Sequence, residues 1–151
     1  MPKTIKNIYD NSVSFENLLK AHKKARCGKR EKKKIILFEL KLEQELLELE
    51  KQLKNGTYKH GGYTKFKIYE PKERIIMASE YKDRVIHQWY VEKFIKPYFV
   101  PQFISTSYAG IEGRGMHKAS KDVQKAMRSA KSKWKNYYIL KMDVTKYFQN
   151  I

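Results

Sequence analysis

The hydrophobic and polar positions divide the chain into three textures. From Ser14 to about Gly28, a plausible N-cap serine, Glu16 in the first turn and Leu18, Leu19 and Ala25 on one side predict an amphipathic helix. Residues before it read as a loose basic lead-in. Ile35, Phe38, Leu42, Leu46, Leu49 and Leu53 then recur at spacings of three and four, predicting a long helix stopped by Asn55-Gly56. The texture changes at Thr64-Lys-Phe-Lys-Ile-Tyr69, which alternates Phe66 and Ile68 against Lys65 and Lys67 as a strand does. Glu70-Pro-Lys-Glu73 reads as a turn, and Arg74-Ile-Ile-Met-Ala78 as the returning strand of a β-hairpin. Ser79 is expected to cap a third helix that buries Val85, Trp89 and Phe94 and closes at Pro97, with Glu80 and Asp83 near its positive end. An aromatic and glycine-containing connection over 97–115 leads to a helix from about Met116 to Ala130. Last comes an apolar run, Tyr138 to Met142, which reads as a buried strand that delivers Asp143 at its end.

This pattern is that of a single α+β domain, mainly helical, with a small antiparallel sheet. A chain of 151 residues, 41% hydrophobic and 13% aromatic, is globular rather than disordered. No apolar run approaches the ~20 residues that span a bilayer, and no helix is expected to combine a basic face with a broad apolar one. The single cysteine, Cys27, excludes an internal disulfide and a thiolate zinc site and fits a cytoplasmic setting.

Charge narrows the partners. The net charge is +17, and it is unevenly spread: residues 1–30 hold 8 basic and 2 acidic side chains, 31–56 hold 6 and 6, and 57–151 hold 19 and 8. The neutral second helix is thus a packing element, and the excess elsewhere points to a polyanion, most commonly nucleic acid.

Candidate chemistry is sparse. Lys72 and Arg74 at the hairpin tip, backed by Lys65 and Lys67, suit a triphosphate or a nucleic-acid backbone, or equally an edge kept soluble by cations. Ser105 to Gly115 holds glycines that admit close backbone approach before a helix, or forms an ordinary loop. His22, His60, His87 and His117 lack metal-ligand spacing and read as satisfied structural histidines. A carboxylate at a strand end, Asp143, is a natural metal seat, although on local chemistry alone such a residue more often serves a turn.

The ordered set Pro71-Lys-Glu-Arg74, Tyr81-Lys-Asp-Arg84, Ser107-Tyr-Ala109, Gly113-Arg-Gly115 and Lys141-Met-Asp-Val-Thr-Lys-Tyr-Phe148 resembles bacterial reverse transcriptases of the retroelement type. That group includes group II intron, retron and diversity-generating enzymes. The likeness is strong from Lys59 to Ile151 and looser over 14–56. It implies a helical extension (1–56), a fingers region (57–136) and the first palm strand (137–151). By the same resemblance Asp143 is the first catalytic aspartate, binding two magnesium ions (manganese as an alternative) with the Val144 carbonyl as a further ligand. Tyr147, with Phe148 as runner-up, lies beneath the incoming sugar. Lys72 and Arg74 hold the dNTP triphosphate, while Lys65, Lys67, Arg84, Gly113, Arg114 and Gly115 line the path of RNA template and DNA primer. The family's Tyr-x-Asp-Asp box does not occur among these residues. The chain is therefore expected to be a fragment or the product of a truncated gene, inactive in polymerisation alone, with an open strand edge suited to a dimer or domain swap. The alternatives are a non-catalytic basic RNA-binding module and a helical protein–protein adaptor.

Overall fold

The computed structural model describes residues 6–69 and 71–144. It is mixed α+β and mainly helical, with one two-stranded antiparallel sheet. Two compact units divide the chain, Met1–Gln102 and Phe103–Ile151.

In the first unit residues 6–13 of the lead-in are ordered rather than loose. A short helix α1 (Ile8–Ser12) is followed by α2 (Phe15–Ala25), capped as expected by Ser14, whose Oγ accepts the Asn17 N–H at 3.3 Å. The lead-in is fixed because it carries hydrogen-bonding groups that the core needs: the Tyr9 hydroxyl donates to the Leu53 carbonyl at 2.8 Å, and Trp89 Nε1–H donates to the Ser12 carbonyl at 2.9 Å.

The expected long helix is two, α3 (Lys33–Glu39) and α4 (Leu42–Lys54), broken where Lys41 adopts φ −123°, ψ 28°. Its stripe is nonetheless the core: Ile35, Phe38, Leu46, Leu49 and Leu53 are buried, and Leu42 packs against them. The break serves packing, since it lets Phe38 stack on His22 at 5.5 Å and meet Tyr81 edge-on at 5.1 Å while α4 continues along α2. No glycine or proline marks it.

The expected hairpin forms, β1 (Tyr63–Ile68) with β2 (Arg74–Ser79), and its register sets Phe66 opposite Ile76 and Ile68 opposite Arg74. Ser79 belongs to β2, so Glu80 takes the N-cap position of α5 (Tyr81–Tyr90), with no side-chain cap. The helix does not close at Pro97 but widens into π-helical turns over Val91–Phe99, followed by a 3₁₀ turn at Val100–Gln102. Proline lacks an N–H and crowds the carbonyl four residues back, and wider turns relieve both. Val85, Ile86 and Trp89 complete the core of this unit, with Phe94 partly buried against it.

The second unit contains α6 (Met116–Lys133), of which no residue is buried. The apolar run that follows departs from expectation. Residues 137–144 carry no strand, and Tyr138 and Met142 are 95% and 81% exposed. A strand exists only through ladder partners, and among the described residues none pairs with this one. The open-edge argument for a swapped dimer therefore has no strand beneath it in residues 137–144.

Candidate nucleic-acid interface

One buried carboxylate anchors the hairpin to the helical core. Asp83, in the first turn of α5, is fully buried and accepts the Tyr58 hydroxyl at 2.5 Å and the Gly61 N–H at 3.1 Å. Burial first, and then the neighbouring Asp83 carboxylate, push the Tyr58 phenol well above its ordinary range, so it stays a donor. The approach is close: a Cβ on Gly61 would lie 2.9 Å from Asp83 Oδ2. His60, whose Nε2 is 3.8 Å from the same oxygen, stacks between Tyr63 (4.9 Å) and the exposed ring of His87 (5.4 Å) at the foot of β1. His87 is thus a surface ring, not a core histidine.

A second polar cluster holds the helices together. His22, also buried, contacts Glu39 Oε1 through Nε2 at 3.1 Å and the Tyr81 hydroxyl through Nδ1 at 3.0 Å, and Arg26 pairs with the same Glu39 oxygen. Burial holds the imidazole below its usual range, so the neutral ring donates to Glu39 and accepts from Tyr81. The Tyr81 phenol is pushed up to about 12, chiefly by burial. His22 is the satisfied structural histidine that the sequence suggests.

The hairpin projects with both faces open to solvent. Register separates its cations. Residues directly opposite share a face, so Arg74 lies on the side of Phe66 and Ile68, whereas Lys65 and Lys67 lie on the other with Met77 and Ile75. Lys65 and Lys67 therefore do not back Arg74. Lys67 is further engaged by Glu73 at 2.6 Å. Lys72 and Arg74 lie two residues apart in sequence where the hairpin turns into β2, both exposed. Arg84, on α5, is half-buried.

In the second unit the glycine loop has its own internal work. Arg114 Nη1 donates to the Ile104 and Ser107 carbonyls, each at 3.1 Å, and so closes the loop on itself. Gly113 (φ 72°) and Gly115 (φ 139°) adopt conformations that side chains oppose, and Gly115 serves as the N-cap residue of α6. Gly113 and Gly115 thus shape the helix start, and Arg114 spends one guanidinium nitrogen on backbone.

Asp143 and Val144 are exposed, without strand support, and Tyr147 and Phe148 lie outside the described residues. Among the described residues no group of three or more His, Cys, Asp or Glu side chains could hold a metal ion. One carboxylate does not fit a two-magnesium centre, so no catalytic step is assigned to it.

Sequence reasoning missed two features. Asp83 was visible only as a helix-start carboxylate; its buried role requires knowing that the loop 58–61 folds over it. The other is the basic face of the expected helix α6, where Lys118, Lys121, Lys125 and Arg128 recur at helical spacing opposite Ala119, Val123, Ala126, Met127 and Ala130. This helix has a basic face and an apolar stripe, but the stripe is built largely of alanine and is not the broad apolar face of a membrane-surface helix. Among the described residues no helix is long and apolar enough to cross a membrane. No protein-family model matches the chain, and no curated protein does either.

Proposed function

We propose that this chain is the fingers region and the beginning of the palm of a retroelement-type reverse transcriptase, an RNA-directed DNA polymerase that extends a primer 3′-hydroxyl with dNTPs in a cytoplasmic setting. The observation that carries this reading is the ordered run of motifs from Pro71 to Phe148. The hairpin followed directly by α5 is in keeping with it. In this reading Lys72 and Arg74 offset the charge of the incoming triphosphate, with the guanidinium able to bond two oxygens at once. The complete reaction needs magnesium and further carboxylates. The 151 residues alone are accordingly expected to give no primer extension.

The test is equilibrium binding of a dNTP to the full chain. Lys72→Ala and Arg74→Ala should each weaken it by about tenfold, the scale of one lost charge-assisted bond. Unchanged affinity in both variants would remove the triphosphate site. A non-catalytic RNA-binding module is the second reading. It is favoured by one observation: among the described residues, every ion pair lies within residues 22–96, so the cations of 103–144, nine against three acids, carry no close ion pair. RNA binding indifferent to Lys72, Arg74 and Asp143 substitutions would support it.

A further inference from the structure

We propose that the arc formed by Lys118, Lys121, Lys125 and Arg128 on α6 is a docking surface for the sugar–phosphate backbone of a nucleic-acid duplex, additional to the hairpin. The inference rests on the nucleic-acid part of the reading above, and on neither its triphosphate site nor its chemistry.

Three observations carry it. The four cations succeed one another at intervals of three and four along an 18-residue helix, which puts them on one side of it. They span about 15 Å of helix axis, the length over which one strand places four or five phosphates at ~3.4 Å of duplex axis each. All four are exposed, and none of them is ion-paired. Residues 103–144 hold nine Lys and Arg against three acids, and among the described residues that stretch contains no ion pair. The one acid on the helix, Asp122, neighbours Lys118 and Lys125 at helical spacing, forms an ion pair with neither, and accepts the Tyr108 hydroxyl at 2.8 Å, so the arc keeps a net positive charge. Four like charges on one face repel each other and raise the cost of the bare helix; a polyanion turns that cost into affinity.

The opposite face argues against a bilayer as the occupant. Its alanines, with Met116, Val123 and Met127, offer little area to bury, and it lacks the Trp, Phe or Leu side chains that hold interfacial helices in a membrane. The basic arc, not the apolar stripe, is the binding face.

The experiment is the salt dependence of binding of the full chain to a 20-base-pair RNA–DNA duplex, read by fluorescence anisotropy. Wild type is compared with the quadruple variant Lys118→Gln, Lys121→Gln, Lys125→Gln, Arg128→Gln. Glutamine is a good helix former and these side chains are exposed, so circular dichroism should show the helix content kept. The slope of log K against log salt should shrink by about 3 in the variant, close to one counterion per removed cation. Lys133→Gln, outside the arc, should change it by less than about 1. An unchanged slope in the quadruple variant, alongside a loss in Lys72→Ala and Arg74→Ala, would overturn the docking surface while sparing the nucleic-acid reading. No duplex binding by the wild type would overturn both. Loss of binding to phosphatidylserine vesicles in the quadruple variant, with duplex binding intact, would reassign the arc to a membrane.

Discussion

At the scale of single residues, the hairpin's position depends on how closely the backbone of Gly61 approaches Asp83. A methyl group there would meet Asp83 Oδ2 at 2.9 Å and the Glu80 Cγ at 3.1 Å, whereas one on Gly62 would meet nothing within 4 Å. Gly61→Ala should therefore destabilise the fold by about 1–3 kcal/mol and Gly62→Ala should cost far less, measured by urea unfolding. The tighter clash is with the buried carboxylate, whereas the partly exposed Glu80 side chain can swing aside. In an Asp83→Ala background, itself less stable by about 2–5 kcal/mol because the Tyr58 hydroxyl and Gly61 N–H lose their acceptor, Gly61→Ala should become nearly neutral. An additive double mutant would show that the two residues do not meet. This pair also marks a limit of sequence reading. Asp83 at a helix start is explained locally by the helix dipole, and nothing local reveals that a loop more than twenty residues upstream supplies its donors.

At the scale of elements, what repeats is legible and what depends on a partner is not. The period of three and four from Ile35 to Leu53 identifies the core residues, yet not the break at Lys41, because the break follows from Phe38 reaching His22 and Tyr81 rather than from any local signal. Alternation over Thr64–Tyr69 identifies β1 because its mate follows at once. The run at Tyr138–Met142 has strand composition without a mate, and it stays exposed. The motif residues Lys72 and Arg74 lie two apart in sequence where the hairpin turns into β2, whereas Lys65 and Lys67 are carried to the face away from Arg74 by the pleat. His22 joins three helices, α2, α3 and α5, so its titration is a property of their packing. Its folded-state pKa lies below the ordinary 6.5, first because of burial. Above that value both states are neutral; as pH falls through it, the unfolded chain takes up a proton that the folded chain resists, so stability falls. Unfolding free energy should thus decline from about pH 6.5 downwards, and His22→Gln, though less stable at pH 7, should show a shallower decline between pH 7 and 5. Parallel pH profiles in the two proteins would remove His22 from the account. The Glu39 carboxyl, held low first by its bond to Arg26, adds a further loss only at more acid pH, below its ordinary 4.5.

At the scale of the whole chain, apolar burial and charge are distributed in opposite ways. Among the described residues every buried apolar side chain lies between Val13 and Trp89, whereas residues 103–144 bury none and carry nine cations against three acids. Local stability follows burial, because opening a segment without buried side chains exposes little new apolar surface. A protease specific for Lys and Arg should accordingly find α6 first, even though α2 and α4 also present lysines. Brief trypsin treatment is expected to cut between Arg114 and Lys135 and to leave a resistant species that contains Val13–Trp89, identified by mass spectrometry. The same distribution predicts the effect of a ligand. If the arc on α6 takes up a nucleic-acid duplex, opening that helix must first release the duplex, so cleavage within 118–133 should slow at low salt and recover its free rate as salt rises. Early cleavage within α2 or α4 would mean that the helical core opens more readily than its burial implies. Protection by duplex that persists at high salt would mean that something other than the α6 cations provides it.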